Sequence, residues 1–305
     1  MSDTTGGLLR PRVILAFLLT GSIWGSTWLV ITGQIGGVPA AWSVFYRFAL
    51  ATPALFTVAA LMKRRLSLTG PEHRLAAIVG VLQFSGNFLF VYHAELYMTS
   101  GVVALMFGLM MVPNAILGRV FLGERAHGRF ILGSAIAIVG VSLLLGHEWQ
   151  SNPGSGVVGG SVGLGIVLTL LGMLVASLAN VVQANELGRG VPMVSLLAWA
   201  MVYGTVFNLG FAILTAGVPV VPTETPFWMG TLYLALIGSV ITFPLHYNLV
   251  REIGAGRTAY NGILTISVAM LLSTLFEDYR WTALTAGGMG LAIVGMVIAL
   301  RSKQS

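Results

Sequence analysis

Ten stretches of this chain each run for about 20 residues with almost no charge, and that pattern leaves few folds open. A helix of about 20 apolar residues spans the hydrocarbon core of a bilayer, and in hydrocarbon the backbone must satisfy its own hydrogen bonds. The stretches are 13–32, 40–62, 75–96, 101–119, 129–146, 163–186, 193–216, 228–250, 257–276 and 281–300. Short gaps with turn residues separate them, such as Gly36-Gly37-Val38-Pro39 and Gly188-Arg189-Gly190-Val191-Pro192. The third and fourth stretches are nearly continuous, as are the eighth and ninth. The first is too long for the apolar core of a signal peptide, and nine more come after it. Only 9% of the residues are charged and 56% are hydrophobic, whereas a soluble domain carries about 25% charged residues. Disorder is excluded by the same figures, and a disulfide scaffold by the absence of cysteine. The expectation is an all-α membrane protein with ten transmembrane helices in a lipid bilayer.

The net charge of +6 raises nucleic acid as a partner, and its distribution removes that reading. With ten spans, one side receives Arg10, Arg12, Lys63, Arg64, Arg65, Arg74, Arg119, Arg125, Arg129, Arg189, Arg251, Arg257, Arg301 and Lys303, fourteen of the sixteen bases. The other side receives Arg280, and Arg47 lies inside the second span. Lys and Arg collect on the cytoplasmic side of membrane proteins, so both termini are expected in the cytoplasm.

The chain also repeats. Ala137-Ile138-Val139-Gly140 recurs as Ala292-Ile293-Val294-Gly295, and at the same offset of 155 Gly133 matches Gly288, Phe121 matches Phe276, Gly101 matches Gly256 and Tyr92 matches Tyr247. Gly37-Val38-Pro39 and Gly190-Val191-Pro192 match at 153. Residues 1–150 and 163–305 then read as two five-helix repeats joined by an external linker at 151–162. Because five is odd, the second repeat is inverted, the arrangement of many secondary transporters, with a midplane site where the halves meet. Gly133, Ala137 and Gly140 share one face of span five, and Gly288, Ala292 and Gly295 share one face of span ten. Small residues at this spacing let helices approach closely, so these spans are expected to pack rather than line a cavity.

Polar residues in apolar spans tend to face the bundle interior. Gln83, Asn87, Phe90 and Ala94 form a stripe on span three; Ala176, Asn180 and Gln183 share a face of span six; Ser239, Thr242 and His246 follow helical spacing on span eight, near Pro244. Asn261 pairs with Thr265 on span nine, Met106, Met110 and Asn114 share a side of span four, and Trp24 and Trp28 lie beside Gly21 and Gly25 on span one. Amides, hydroxyls, methionines and aromatics suit a solute with a polar head and an apolar side chain. Arg47 lies roughly 12 Å of helix rise from one end of span two. It is placed either to attract a substrate carboxylate or to snorkel and bond other helix ends; the second repeat has Ala200 there.

No acid lies near the middle of a span, and Glu95 and Glu186 sit at helix ends. A carboxylate proton relay therefore has no evident residue, and His93 and His246 are the titratable candidates within spans. Gly159-Gly160-Ser161-Val162-Gly163 fits the pattern of a serine nucleophile but lacks the strand, helix and partners that pattern requires, and reads as linker. No metal cluster or cofactor motif appears, and nothing pairs as an intramembrane enzyme would need.

Ile23-Trp24-Gly25-Ser26-Thr27-Trp28, Arg47, and Leu122-Gly123-Glu124-Arg125 before span five resemble the EamA branch of the drug/metabolite transporter superfamily, over essentially the whole chain. The second half departs from this pattern, with Phe276-Glu277-Asp278 where the first has Leu122-Gly123-Glu124. The resemblance implies a bacterial inner-membrane exporter of small metabolites, often amino acids, with a cavity lined by spans one, three, four, six, eight and nine. The combined expectation is a transporter rather than an enzyme, exporting small zwitterionic or neutral metabolites, foremost aromatic and other neutral amino acids, without cofactor or metal. Export is expected by alternating access, in which the five-helix repeats rock about a central midplane cavity. Trp24, Phe90 and Met110 would contact the apolar part of the substrate, and Gln83, Asn87, Asn180, Gln183, His246 and Asn261 its polar groups. An importer or a carrier of another metabolite or drug is the nearest rival, and a channel would differ by flux that does not saturate.

Overall fold

The computed structural model describes residues 10–123, 127–151, 160–253 and 258–301. Glu124, Arg125, Gly256, Arg257, Lys303 and residues 152–159 of the expected linker lie outside the described residues. Among the described residues ten long helices succeed one another: α1 (Pro11–Thr32), α2 (Ala40–Leu61), α3 (Gly70–Ala94), α4 (Ser100–Leu122), α5 (Gly128–Ser151), α6 (Val162–Gln183), α7 (Met193–Ala216), α8 (225–253), α9 (Asn261–Phe276) and α10 (Ala283–Leu300). A single turn at Glu186–Gly190 precedes α7. No strand occurs among the described residues. Nine of the ten are long and apolar enough to cross a bilayer; α9, at 16 residues, is shorter. We call the end where α1 starts and α10 finishes the terminal end, and the end where α5 gives way to α6 the linker end.

Two departures from the expected spans have local causes. Helix α3 starts at Gly70 rather than 75, because Thr69 and Glu72 form a reciprocal capping box, with the Thr69 N–H donating to Glu72 Oε2 at 2.7 Å. A hydropathy ruler passes over that polar first turn. Ser161, the serine of the Gly-x-Ser-x-Gly pattern, is the N-cap of α6 and accepts from the Leu164 N–H.

Within α3 the segment Gly80–Gly86 is π-helical, and within α8 the segment Tyr233–Ile241 is too. Their first residues are 153 apart, the offset of the Gly-Val-Pro repeat. Each π turn rotates the residues after it relative to those before, so stripes drawn at α-helical spacing through 83–87 and 239–246 do not run straight.

Packing partners correspond between the two halves of the chain. Helix α5 packs along α10 and α2 along α7, while α1 on α9 is matched by α6 on α4, α7 on α3 by α2 on α8, and α3 on α6 by α8 on α1. The same correspondence holds residue by residue. A methyl on Gly133 would strike the backbone of Gly295 and Ala299, and a methyl on Gly288 would strike Gly140 and Leu144; each residue of the second set stands 155 from one of the first. Glycines at these points let α5 and α10 touch backbone to backbone, as the small-residue faces led one to expect.

Two apolar cores result, and each draws on both halves of the chain. One joins α2 and α3 to α7 and α8. The other joins α4 and α5 to α9 and α10, with α6 contributing Val162 and Met173. Trp28 on α1 and Phe107 on α4, with ring centres 5.1 Å apart, pack against both cores. Large exposed side chains such as Leu15, Leu18, Leu132, Val139, Leu170 and Val294 cover the outside of the bundle, as a lipid-facing surface requires.

Candidate functional site

Two groups of the residues picked out above are brought together, Trp24 with His246 between α1 and α8, and Asn180 and Gln183 with Asn114 between α6 and α4. Trp24, Gln83, Phe90, Met110, Asn180, Gln183 and His246 are half-buried, whereas Asn87 and Asn261 are buried. The indole N–H of Trp24 donates to the Gly238 carbonyl in the π segment of α8 at 3.2 Å. Its ring lies 4.7 Å from that of His246 and edge-on to Phe243 at 5.6 Å. Trp24 therefore ties α1 to α8 through both its N–H and its ring.

On the α6 side, Phe90 and Phe107 close over Gly172. Asn180 Nδ2 donates to Asn114 Oδ1 at 3.3 Å, and Gln183 Nε2 donates to Asn180 Oδ1 at 3.3 Å. This amide chain joins α6 to α4 and leaves Gln183 Oε1 buried without a partner. Asn87 Oδ1 is buried and unpartnered as well. A buried acceptor without a donor costs about 1–3 kcal/mol, so an arriving N–H or O–H would be favoured at both places. Met110 ends a short 3₁₀ turn, Gly108–Met110.

Other expected residues are not brought into either group. Asn261 donates to the Phe17 carbonyl at 2.6 Å and to Thr20 Oγ1 at 3.0 Å, so its amide fastens α9 to α1. Ser239 and Thr242 are wholly buried. Their hydroxyls bond the carbonyls of Leu234 and Ile237, five residues back, which satisfies carbonyls within the π segment. Arg47 is 3% exposed. One of its nitrogens donates to Ser239 Oγ at 3.3 Å and its guanidinium lies 4.4 Å from the Phe88 ring centre, a cation–π geometry. Its Nε and Nη1 are buried, and the Tyr92 hydroxyl lies beside the guanidinium.

The two ends differ. On α4 every residue from Ser100 to Met106 is buried, whereas Phe107 to Asn114 are partly exposed. At the linker end Gln34 donates to the Phe227 carbonyl and accepts from Thr231, and Ser43 bonds the Gln34 carbonyl. Thr32, at the end of α1, also lies within hydrogen-bond distance of Glu95 beyond α3 and Glu277 beyond α9, so α1, α3 and α9 are held together at the linker end while α4 is partly exposed toward the terminal end. Sequence reasoning passed over one group here. Glu95, classed as a helix-end acid, is wholly buried at the linker end, beside Thr32 and Glu277.

A ten-helix bundle with buried polar side chains is common to several transporter folds, so family membership rests on comparison. The sequence profile of the EamA-like transporter family matches this chain twice, at residues 11–146 and 163–301. The chain belongs to the EamA-like transporter family. Among relatives, a probable amino-acid metabolite efflux pump of Escherichia coli K12 is 25% identical over 301 residues, covering 95% of this chain and 94% of that protein. A probable terminal-alkyne amino-acid exporter of Streptantibioticus cattleyicolor is 26% identical over 302 residues, covering 94% and 93%. Protein PagO of Salmonella typhimurium is 27% identical over 143 residues, 47% of each chain, so that match spans about half the length of PagO. A solved crystal structure superposes with a TM-score of 0.67 at 16% identity, over 95% of this chain and 97% of the other; it shares the fold. As an EamA-like protein the chain is a multi-pass membrane transporter of a small molecule.

Proposed function

We propose that this EamA-like protein exports small neutral or zwitterionic metabolites, amino acids foremost, by alternating access through the seam between its two cores. The observation that carries this reading is the difference between the two ends of the bundle. Hydrogen bonds hold α1, α3 and α9 together at the linker end, and α4 is partly exposed toward the terminal end. Aromatic rings and unpartnered amide oxygens would line the path. The E. coli and Streptantibioticus relatives, a probable amino-acid metabolite efflux pump and a probable terminal-alkyne amino-acid exporter, support the substrate class.

Residues 1–150 and 163–305 act as two inverted repeats joined at 151–162, a reading supported by the twofold match of the family profile and the correspondence of packing partners. The bodies that move are the two cores rather than the sequence halves. The α2–α7 and α5–α10 interfaces each join one half to the other, and halves rocking as units would tear both. Both termini lie in the cytoplasm of a bacterial cell and the linker end faces outward, because Arg10, Arg12, Lys63, Arg64, Arg65 and Arg301 gather at the terminal end. Trp24, Phe90 and Met110 meet the apolar part of the substrate, and Gln83, Asn87, Asn180, Gln183 and His246 its polar groups. Asn261 acts by holding α9 on α1.

Counterflow tests the reading. Proteoliposomes preloaded with an unlabelled neutral amino acid should accumulate its labelled form transiently and saturably. Flux that neither saturates nor responds to preloading indicates a channel, and no flux across the amino-acid set removes that substrate class.

A further inference from the structure

Glu95 comes directly after α3 at the linker end and is wholly buried. The hydroxyl of Thr32, the last residue of α1, lies 3.3 Å from Glu95 Oε2 and 3.2 Å from Glu277 Oε1. Glu277 comes directly after α9 and is held from its other side by Ser100 at the start of α4. The Ser100 N–H donates to Oε1 at 3.2 Å and its hydroxyl to Oε2 at 2.5 Å. Two acids from opposite halves of the chain are therefore joined through one hydroxyl.

The hydrogens can be counted. Two ionised carboxylates only accept, and Thr32 has a single hydrogen for two close carboxylate oxygens and, at 3.4 Å, the Trp28 carbonyl. With both acids ionised, one contact sets the Thr32 oxygen against a bare carboxylate oxygen, and of the two acids Glu95 is the one wholly buried. One proton on Glu95 fills every position: Glu95 donates to Thr32, Thr32 donates to Glu277, and ionised Glu277 keeps both Ser100 donors. A proton on Glu277 instead would compete with those donors.

Groups beyond the acids face the same place. Tyr92, one turn before Glu95, is wholly buried with its hydroxyl beside the Arg47 guanidinium, and Glu95 Oε1 is buried without a partner. The Arg47 charge acts on both Tyr92 and Glu95. The facing groups are thus Thr32 from α1, Arg47 from α2, Tyr92 from α3 and Ser100 from α4, while Asp278 and Arg280, next along the chain from Glu277, are exposed. Burial first, then the neighbouring Glu277 charge, holds the Glu95 carboxyl well above the usual carboxylate range, against smaller pulls from Thr32 and Arg47.

We propose that Glu95 and Glu277 bind one shared proton through Thr32 while the linker end is closed, and release it when α1, α3 and α9 part there. Opening would give the Glu95 carboxylate water of its own and let it ionise. A proton arriving from the linker side would then favour closure and return the empty protein to the form open toward the terminal end. The proposal rests on the alternating-access reading above and names the ion to which that cycle is linked.

The chain has no cysteine, so one introduced thiol reports the opening. Val103 on α4 is wholly buried near the linker end, and Val218, beyond α7 at the same end, is 82% exposed. Maleimide labelling of full-length Val103→Cys in nanodiscs, divided at each pH by that of Val218→Cys, cancels the thiol's own titration. The ratio should rise from pH 5 to 9, by up to about tenfold per pH unit, the limit for one linked proton. Glu95→Gln in the Val103→Cys protein should hold the ratio low and flat, and Glu277→Gln should shrink the response. Thr32→Val, which cuts the bridge, should shrink it too and serves if an amide variant does not fold. A flat ratio in the parent protein overturns the proposal, as does a Glu95→Gln ratio that still rises with pH. Labelling needs no solute. A pH-linked ratio in a protein that moves no amino acid would therefore count against the proposed function and leave the proton site standing.

Discussion

The hydroxyls of Thr52 on α2 and Thr205 on α7 lie 3.2 Å apart, and the two residues are 153 positions apart in the chain. That is the offset separating Gly37-Val38-Pro39 from Gly190-Val191-Pro192. If the halves are the inverted repeats proposed above, residues related by the repeat meet each other only beside the axis that relates them, and this contact would put that axis between α2 and α7. The interface lies inside one core, and the alternating-access scheme requires it to stay shut.

The Thr52 and Thr205 pair tests that requirement. With both replaced by cysteine, sulfurs occupy the places of two oxygens already in contact, and a small side-chain rotation brings them to bonding distance. Oxidation should form the disulfide, seen as a gel shift reversed by reductant, and counterflow should persist. Flux that stops on oxidation and returns on reduction would show that α2 and α7 separate during transport.

The α5–α10 contact should be intolerant of a single methyl. A methyl on Gly295 would meet the Ala137 N–H and the Gly133 carbonyl, both backbone and unable to turn aside. Gly295→Ala should lose about 1–3 kcal/mol, the usual cost of overpacking, seen as a lower melting temperature in detergent. Gly287→Ala on the same helix meets nothing and should match or exceed the parent by up to about 1 kcal/mol, from helix propensity. Equal melting of the two variants would rule out close backbone packing here.

Asn261 and Asn87 look alike in sequence and should behave in opposite ways. Asn261→Ala leaves the Phe17 carbonyl and the Thr20 hydroxyl without their amide donor, and should destabilise by about 1–3 kcal/mol. Asn87→Leu removes a buried oxygen that has no partner, so stability should hold or rise. Its counterflow should fall if Asn87 receives the substrate. An Asn87→Leu protein that transports normally takes that residue out of the site.

Stability should fall with rising pH on account of Glu95. Its folded carboxyl titrates above the ordinary value of 4.5 because of burial and the Glu277 charge. Below that ordinary value both folded and unfolded chains hold the proton, and the stabilisation is full. Above it the unfolded chain ionises first, and stability drops until the folded carboxyl ionises too. Between pH 5 and 8 the parent should lose melting temperature relative to Glu95→Gln. A parent that gains stability over that range would contradict a protonated, buried Glu95.

Much of the fold is legible from the chain because a bilayer imposes one-dimensional rules. Spans announce themselves by length, as with Met193–Ala216, where the expected and observed limits coincide. The faces Gly133-Ala137-Gly140 and Gly288-Ala292-Gly295 are written at helical spacing, and their repetition at 155 foretells that they meet. Small residues can be read this way because what they permit, close approach, depends on their own lack of a side chain.

The site was legible only in part. Asn180 and Gln183 do share a face of α6, but Ser239, Thr242 and Asn261 spend their hydrogen bonds on helices. Ideal α-helical spacing gave no sign of the π turns at Gly80–Gly86 and Tyr233–Ile241, which turn the later residues of α3 and α8 to new directions. Ten apolar spans, a duplication and a charge bias can all be read from the chain alone, because they are properties of residues near one another or compared along it. That Glu95 and Glu277, 182 positions apart, flank one threonine hydroxyl emerges only in three dimensions. A carboxylate's proton depends on water and charge within a few ångströms, and helix packing alone sets which distant residues come that near.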